Sequence, residues 1–369
     1  MDTLQAPEEF EIPGDVELLL QHEPLWRIRL RLMRKSFKAN WKLFKRNKVG
    51  VVGLVIIIMF ALLGIAQPIL FATGVWDKRV YDVRTGNDTR ERIVEMTVVA
   101  NVDDVVDPNT QIDRRRLIAE GRNVEVGDVI QRELKHPWPP DRNHLLGTDP
   151  NGSDILSQLM FGARAAFGLG LLAAAVTVFI ATTVGSVAAY FGGWVDSFFM
   201  RFADLLLMLP ILAVLIVASS FGRFKLWHLA IFLGLLGGFG GTAIVLKSQA
   251  LAVKVKPFID AARVAGGNNW RIVTAHLIPN VMPLSFLYVM FSVTGAISSE
   301  AVLSFLGLLN IDMSWGLMIN KTQSAGYLLN PSTWWLIVPA GLAVTLLAGA
   351  FYLAGRGMDE IINPRLRNR

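Results

Sequence analysis

Six apolar segments, each long enough to be a transmembrane helix, alternate with polar segments along this chain. They lie at about 51–71, 166–190, 202–220, 227–246, 282–299 and 334–353. Because an α-helix rises 1.5 Å per residue, about 20 apolar residues cross the hydrocarbon core of a bilayer. The pattern therefore predicts an all-α polytopic membrane protein with six transmembrane helices.

The longest polar segment lies between the first two predicted spans. It contains two β-branched runs, Ile93–Val99 and Val124–Ile130, and turn residues at Gly86-Asn87 and Asp107-Pro108. Short β-branched runs bounded by turn residues indicate strands. We interpret the segment as a small β-rich insert, with a disordered insertion as the alternative.

The segment before the first span changes character along its length. Residues 1–24 are acidic and marked by prolines, and residues 25–48 are basic with interleaved aromatic and aliphatic side chains. The basic part is typical of an amphipathic helix on the anionic cytoplasmic leaflet, and a simple positive-inside anchor explains it equally well. An early apolar core of the kind that a cleavable signal peptide needs is missing, so the first span is expected to remain in the mature protein.

Composition and charge agree with a membrane protein. Of the 369 residues, 53% are hydrophobic and 18% charged, against about 45–50% and 25% in soluble proteins. Basic residues cluster before the first span, after the fourth and at the C-terminus, which places these three segments on the cytoplasmic side. The net charge of +6 thus arises from basic residues at positions that the membrane topology accounts for. We therefore do not expect nucleic acid as a partner.

These observations predict the organisation of the chain. It comprises a cytosolic tail with the basic segment at 1–48, the first transmembrane helix at 49–73, an extracytoplasmic insert at 74–163, a transmembrane core at 164–355 with a cytosolic loop at 255–279, and a cytosolic tail at 356–369.

No catalytic, cofactor or metal site is predicted. The chain has no cysteine, no paired histidine spacing of a metal site, no phosphate-binding loop of the Walker type and no nucleophile elbow. Two acidic residues near span ends remain. Asp204 is expected in the first turn of the third span, where it complements the helix dipole and pairs with Arg201. Glu300 is open between a functional site within the membrane and a structural bond to Ser304 or Gly307.

The polar loop Phe258–Pro279 carries an unusual pattern. Pro257 and Asp260 favour the start of a short helix, and Gly266-Gly267 ends it. Asn268 or Asn269 is expected to cap a second short helix, with Trp270, Val273 and Leu277 on its apolar face and Pro279 as its end. The residues alone leave two interpretations open, a connector lying on lipid and a docking element for a soluble partner.

The same loop resembles the EAA loop of ABC importer permeases. Asp260-Ala261-Ala262, Gly266 and Leu277-Ile278-Pro279 match its spacing, with Asp260 in place of Glu and His276 and Ile278 in place of Ile and Leu. Further stretches are similar to the C-type permease of the oligopeptide/dipeptide/nickel family. They are Leu146–Ser157, Phe161–Arg164, Tyr190–Asp196 with Arg201, Asp204 and Pro210, and Glu300–Gly307 with Trp315-Gly316.

The resemblance implies a type I ABC importer permease fold in a prokaryotic plasma membrane, with both termini cytosolic. It implies a second permease subunit, two cytosolic ATPase subunits that carry ATP and Mg²⁺, and an extracytoplasmic substrate-binding protein. Asp260, Ala261, Ala262, Gly266 and Pro279 would form the coupling site for an ATPase subunit, while this chain would hold no cofactor and catalyse no reaction. Di- and oligopeptides are the implied cargo.

Other classes of function stay open at this point. Nickel and oligosaccharides are alternative cargoes within the same family. An ion-coupled secondary transporter would need membrane-buried charges that the spans lack, and a membrane-embedded enzyme would need a cluster of reactive side chains that the sequence lacks.

Overall fold

The computed structural model describes Arg27, Arg31 and residues 41–76, 92–100, 111–134, 137–142, 144–220 and 225–362. The chain divides into two compact units, Met1–Lys48 and Val49–Arg369. In the first unit, the Trp41 ring stacks on Phe44 with centroids 5.9 Å apart. The predicted tail at 1–24 and most of the predicted amphipathic segment at 25–48 lie outside the described residues.

The described part of the chain from Lys48 onward is mostly helical. Its helices are α1 (Lys48–Ala72), α2 (Arg114–Ala119), α3 (Ile155–Phe191), α4 (Gly193–Met208), α5 (Ile211–Ser220), α6 (Leu226–Phe239), α7 (Gly241–Lys254), α8 (Pro257–Val264), α9 (Asn269–Phe305), α10 (Trp315–Ser324) and α11 (Val338–Ile362). A 3₁₀ turn spans Pro331–Leu336, and the strands are β1 (Arg92–Val99), β2 (Gln111–Asp113) and β3 (Val129–Leu134).

In the described part of the chain, four unbroken helices, α1, α3, α9 and α11, are long and apolar enough to cross a membrane. The number is six if each of two bent helix pairs forms one span. The predicted third span is the pair α4 and α5, bent by 85°, and the predicted fourth is the pair α6 and α7, bent by 44°. The first break falls at Leu209, which is extended because a following proline disfavours the helical conformation. The second falls at Gly240.

Helix α3 is the centre of the bundle and packs against α6, α7 and α9. A Cβ atom on Gly185 would lie 2.8 Å from the backbone nitrogen of Lys247, so glycine lets α3 and α7 approach closely. The helix begins at Ile155, before the predicted span and across the predicted boundary at 163–164. The Asp154 side chain caps it, and residues such as Leu159 and Ala163 bury its first turns.

A small β-rich insert is present, as predicted. β1 lies between β2, to which it is parallel, and β3, to which it is antiparallel. The run Val124–Ile130 was expected as a strand, but Gly127, with φ of +99°, forms a turn and β3 begins at Val129. Strand β2 and helix α2 have no counterpart in the sequence prediction. The predicted turns at Gly86-Asn87 and Asp107-Pro108 lie outside the described residues.

The core of the insert is formed by buried apolar side chains from β1, β2 and α2, namely Met96, Val98, Ile112 and Leu117. Burial raises the pKa of Tyr327, which follows α10. The positive charge of Arg116 in α2 lowers the same pKa, but by less.

At the C-terminus, α11 continues to Ile362 and so includes part of the predicted tail at 356–369.

Candidate functional site

The short helix α8 is ended by a glycine-based cap. Gly266 has φ of +80°, a conformation that glycine adopts without steric cost. The Gly266 N–H donates to the Arg263 carbonyl at 3.1 Å and the Gly267 N–H to the Ala262 carbonyl at 3.0 Å. These are the two bonds of a Schellman motif. They fix the direction in which the chain leaves α8.

Helix α8 stands out from the bundle and is held by one apolar side chain. Ile259 is fully buried, in a cluster with residues of α3, α7 and α9. Ala261 and Gly266 are exposed, as are 63% of the Asp260 side chain and 90% of Val264. Ala262 is half-buried. Four predicted coupling residues and the neighbouring Val264 therefore form a thin, largely exposed ridge, which we call the α8 ridge (Asp260, Ala261, Ala262, Val264 and Gly266).

Pro279 does not end a second short helix, contrary to the sequence prediction. The second helix continues without interruption as α9 to Phe305. A π turn at Val273–Leu277 precedes Pro279, and the Ile278 N–H bonds the Val273 carbonyl five residues back. This wider turn lets the helix pass the proline ring, which clashes with the carbonyl four residues earlier in a regular helix. Pro279 is exposed on α9, outside the α8 ridge.

The start of α9 differs from the prediction in two further details. Val273 and Leu277 are fully buried, as expected of an apolar face, but the third buried residue of this face is Ile272 and not Trp270. Trp270 is 58% exposed and packs its ring against Phe191 of α3. The expected asparagine cap is also missing, because Asn268 makes no side-chain capping bond and the Asn269 side chain bonds Tyr190 instead.

Tyr190, in the last turn of α3, lies where α3, α7, α8 and α9 meet. Its hydroxyl donates to Asn269 Oδ1 at 2.8 Å. The Lys254 ammonium and the Arg263 guanidinium each lie 5.9 Å from the centroid of its ring. Lys254 also donates to the Tyr190 carbonyl at 2.8 Å and to the Ala189 carbonyl at 2.9 Å. The sequence resemblance included Tyr190 within a longer stretch and gave it no role.

The charged residues of α4 are placed differently from the prediction. Asp204 lies late in α4, which begins at Gly193, so it is not in the first turn of a span. Both Asp204 and Arg201 are exposed, and no ion pair joins them among the described residues. The acidic residue of the first turn is Asp196, whose Oδ1 lies 2.5 Å from Lys247 Nζ of α7.

Glu300 has a structural environment at the other end of α9. It is 4% exposed, and Ser304 Oγ donates to its Oε1 at 2.5 Å. Ser314, the N-cap of α10, also bonds it. The carboxylate therefore fastens the end of α9 to the start of α10, which favours the structural interpretation. Among the described residues, no group of His, Asp or Glu could hold a metal ion.

The bundle with its four unbroken apolar helices and two bent helix pairs defines a multi-pass membrane protein. Residues 181–368 match the family of binding-protein-dependent transport system inner membrane components, and residues 36–82 match the N-terminal transmembrane domain of oligopeptide transport permease C. The chain belongs to this family of membrane subunits of binding-protein-dependent transporters. Its function is therefore transport.

Several relatives align over most of their length. A putative peptide transport system permease protein of Brucella suis is 31% identical over 234 residues, which are 62% of this chain and 76% of the relative. The dipeptide transport system permease protein DppC of Bacillus subtilis is 33% identical over 246 residues, 65% of this chain and 74% of DppC. The oligopeptide transport system permease protein OppC of Mycobacterium tuberculosis is 32% identical over 237 residues, 62% of this chain and 79% of OppC.

Proposed function

We propose that this chain is the permease subunit of an ATP-driven importer and that the α8 ridge receives a cytosolic ATPase subunit. The observation that carries the proposal is the construction of α8. One side chain, Ile259, is buried, and all other residues of the helix except the half-buried Ala262 are exposed. The helix ends in a fixed glycine cap. A helix that served only its own bundle would bury a wider face.

The charges at this end of the bundle support a cytosolic position for the ridge. Basic side chains surround it on three helices and a connecting turn, namely Lys247, Lys254, Lys256, Arg263 and Arg271. Basic residues near span ends accumulate on the cytoplasmic side. The insert follows α1 and precedes α3, so it lies at the opposite end of the 37-residue helix α3 and would be extracytoplasmic.

The surface of α4 and α5 supports a second membrane subunit. Ala203 is the buried residue of α4, and several large apolar side chains are exposed on the helix, such as Met208, which is 79% exposed. Arg201 and Asp204 are exposed among them. A charge facing lipid costs about 2.5–3.5 kcal/mol at the centre of a span. We therefore assign this face to a contact with a partner permease, where the translocation path would run.

In the proposed mechanism, ATP and Mg²⁺ are bound by the ATPase subunits, and this chain contributes the surface that they move. Closure of the ATPase subunits would displace the α8 ridge, and the packed helices would follow as rigid bodies between inward-facing and outward-facing states. The ATPase subunits would shift the equilibrium by binding the permease more tightly in one state than in the other. The size of this shift would equal the difference between the two binding free energies. An external binding protein would deliver the cargo at the insert end.

The cargo that the relatives favour is di- and oligopeptides. This assignment rests on their names and on the match to the N-terminal domain of oligopeptide transport permease C. Uptake of radiolabelled trialanine into cells expressing the complete transporter tests it. Uptake of nickel ion or of a trisaccharide in place of trialanine would contradict it.

A matched pair of glycine variants tests the docking role. Gly266 has φ of +80° and Gly326 has φ of +82°, and an added Cβ atom at either position meets nothing within 4 Å. Gly266→Arg and Gly326→Arg therefore carry similar backbone strain, but only the first places a bulky side chain on the α8 ridge. We expect Gly266→Arg to lower retention of the ATPase subunits on the affinity-tagged permease by about tenfold or more, the effect typical of a central interface residue.

Membrane insertion of both variants should equal that of the wild type, and Gly326→Arg should retain the ATPase subunits. If Gly266→Arg keeps the ATPase subunits and transports at the wild-type rate, the α8 ridge is not their docking site.

A further inference from the structure

We propose that Tyr190 is the positioning residue that makes α8, α3, α7 and α9 move as one body. This inference rests on the proposed function and deepens it, because it names the side chain through which a displacement of the α8 ridge reaches the bundle. Ile259 anchors α8 by apolar contact alone, and apolar contacts have no preferred direction. A directional link is needed if a push on one short helix is to turn several long ones.

The directional contacts begin on the exposed ridge. Arg263 Nη1 pairs with Asp260 Oδ1 at 3.0 Å, and the same guanidinium lies 5.9 Å from the centroid of the Tyr190 ring. A guanidinium placed over an aromatic face within about 6 Å is attracted by the ring. Asp260, Arg263 and Tyr190 thus form a continuous chain from the surface of α8 to the interior of the bundle.

From Tyr190 the contacts divide toward two helices. The hydroxyl donates to Asn269, the first residue of α9, at 2.8 Å. On the other side, Lys254 at the end of α7 donates to the Ala189 and Tyr190 carbonyls. These carbonyls belong to the last turn of α3, where a helix leaves acceptors unsatisfied and favours a positive charge. Lys254 therefore joins the C-terminal ends of α3 and α7.

The features of tyrosine account for its presence at this junction. The aromatic face receives two cations, Lys254 and Arg263, and the hydroxyl reaches Asn269. Phenylalanine would keep the first function and lose the second, and leucine would lose both. Tyr190 is 7% exposed, whereas its partners Arg263 and Asn269 are exposed. The two substitutions therefore separate the roles of the ring and of the hydroxyl.

The test uses the assembled transporter with this chain, its partner permease and the ATPase subunits. Tyr190→Phe and Tyr190→Leu are compared with Tyr288→Phe and Tyr288→Leu, because Tyr288 packs on the same cluster. We expect trialanine transported per ATP hydrolysed to fall about tenfold in Tyr190→Leu, within the range of coupling between sites. For Tyr190→Phe we expect a fall of about threefold, the effect of one hydrogen bond. The Tyr288 variants should match the wild type.

A distance measurement separates transmission from folding. The chain has no cysteine, so cysteines introduced at Phe258 of α8, which lies outside the α8 ridge, and at Phe179 of α3 carry the spin labels of this chain. The two replaced side chains are 40% and 74% exposed. Cysteines of the partner subunits are replaced beforehand. In the wild type the distance between the labels should be the same without nucleotide and with ATP and vanadate. In Tyr190→Leu it should change between the two states.

Each outcome decides the matter. A state-dependent distance in the wild type, a state-independent distance in Tyr190→Leu, or wild-type transport per ATP in Tyr190→Leu would each overturn the role of Tyr190. Failure of the docking proposal has a different signature, because Gly266→Arg would then retain the ATPase subunits and transport at the wild-type rate.

Discussion

The two ends of α3 are built in opposite ways. At its N-terminal end, Asp154 and Ser157 are almost fully buried. Asp154 bonds His144 of the preceding loop and both the N–H and the hydroxyl of Ser157. At its C-terminal end, Tyr190 gathers contacts from an exposed short helix that has one buried residue of its own. The first end is closed by interactions within the chain. The second offers a rigid surface that the chain itself leaves uncovered.

This difference teaches where a partner can act on the molecule. A network whose donors and acceptors are satisfied internally resists displacement, since moving one member leaves the others unpaired at a cost. A partner can bind and displace a ridge that is held by one apolar anchor and a few directional contacts. We therefore expect substitutions at the first end to lower stability, and substitutions at the second to alter transport more than stability.

The largest effect on stability is expected at Asp154. Its carboxylate accepts from His144 at 2.9 Å, from the Ser157 N–H at 2.8 Å and from the Ser157 hydroxyl at 2.9 Å. Asp154→Ala would leave these buried groups unpaired and remove the helix cap. We expect a loss of about 3 kcal/mol in the free energy of unfolding. Thermal unfolding of the purified protein measures it, with Asp312→Ala at an exposed position before α10 as a control within about 0.5 kcal/mol.

A pair of glycines on α3 provides the next test. A Cβ atom on Gly162 would lie 2.4 Å from the ring of Trp315, whereas one on Gly168 meets nothing within 4 Å. Trp315 is buried and donates to the Leu159 carbonyl at 3.0 Å, so its ring has little room to move. Gly162→Ala should destabilise the protein by about 1–3 kcal/mol through overpacking.

Gly168→Ala should leave stability unchanged or raise it by up to about 1 kcal/mol, because alanine is the better helix former. Equal melting temperatures for the two variants would show that α3 and α10 are less tightly packed than the structure indicates.

Removing the insert tests whether the two ends of the bundle have separate roles in transport. Replacing residues 80–138 with a short flexible linker deletes the small sheet with its own core. If the insert receives the binding protein, uptake of trialanine should fall several-fold, while ATPase retention at the α8 ridge should stay at the wild-type level. Wild-type uptake together with full affinity for the binding protein would exclude this role.

Features of the fold and of the candidate site could be predicted from the sequence where they depend on neighbouring residues, and not where they depend on contacts between distant ones. Apolar length revealed the spans, and the pattern Pro257, Asp260 and Gly266 revealed α8 and its cap, because these signals are local. Pro279 misled for the same reason, since a local rule ends a helix there and a π turn carries α9 past it. The bend at Leu209-Pro210 had a readable local cause that the length of the segment concealed.

The junction at Tyr190 was beyond such reasoning. Its partners Lys254 and Asn269 lie 64 and 79 residues further along the chain, and periodicity describes the faces of one helix rather than the convergence of four. The resemblance identified Asp260, Ala261, Ala262 and Gly266 as a group, yet the exposure of this group became evident only from the packing of Ile259.

The smallest effect is expected from the ion pair between Asp196 of α4 and Lys247 of α7. The two charged atoms lie 2.5 Å apart, but Asp196 Oδ1 has no hydrogen bond of acceptable geometry, so we regard the contact as Coulombic. The side chains are 30% and 18% exposed, which lets water and salt weaken the attraction. A double-mutant cycle with Asp196→Asn and Lys247→Gln should give a coupling energy of about 0.5–1 kcal/mol, smaller at high salt. A value above about 2 kcal/mol would mean that the base of α4 is locked to α7 as firmly as the opposite end of α3 is locked to its loop, and the contrast between the two ends would then disappear.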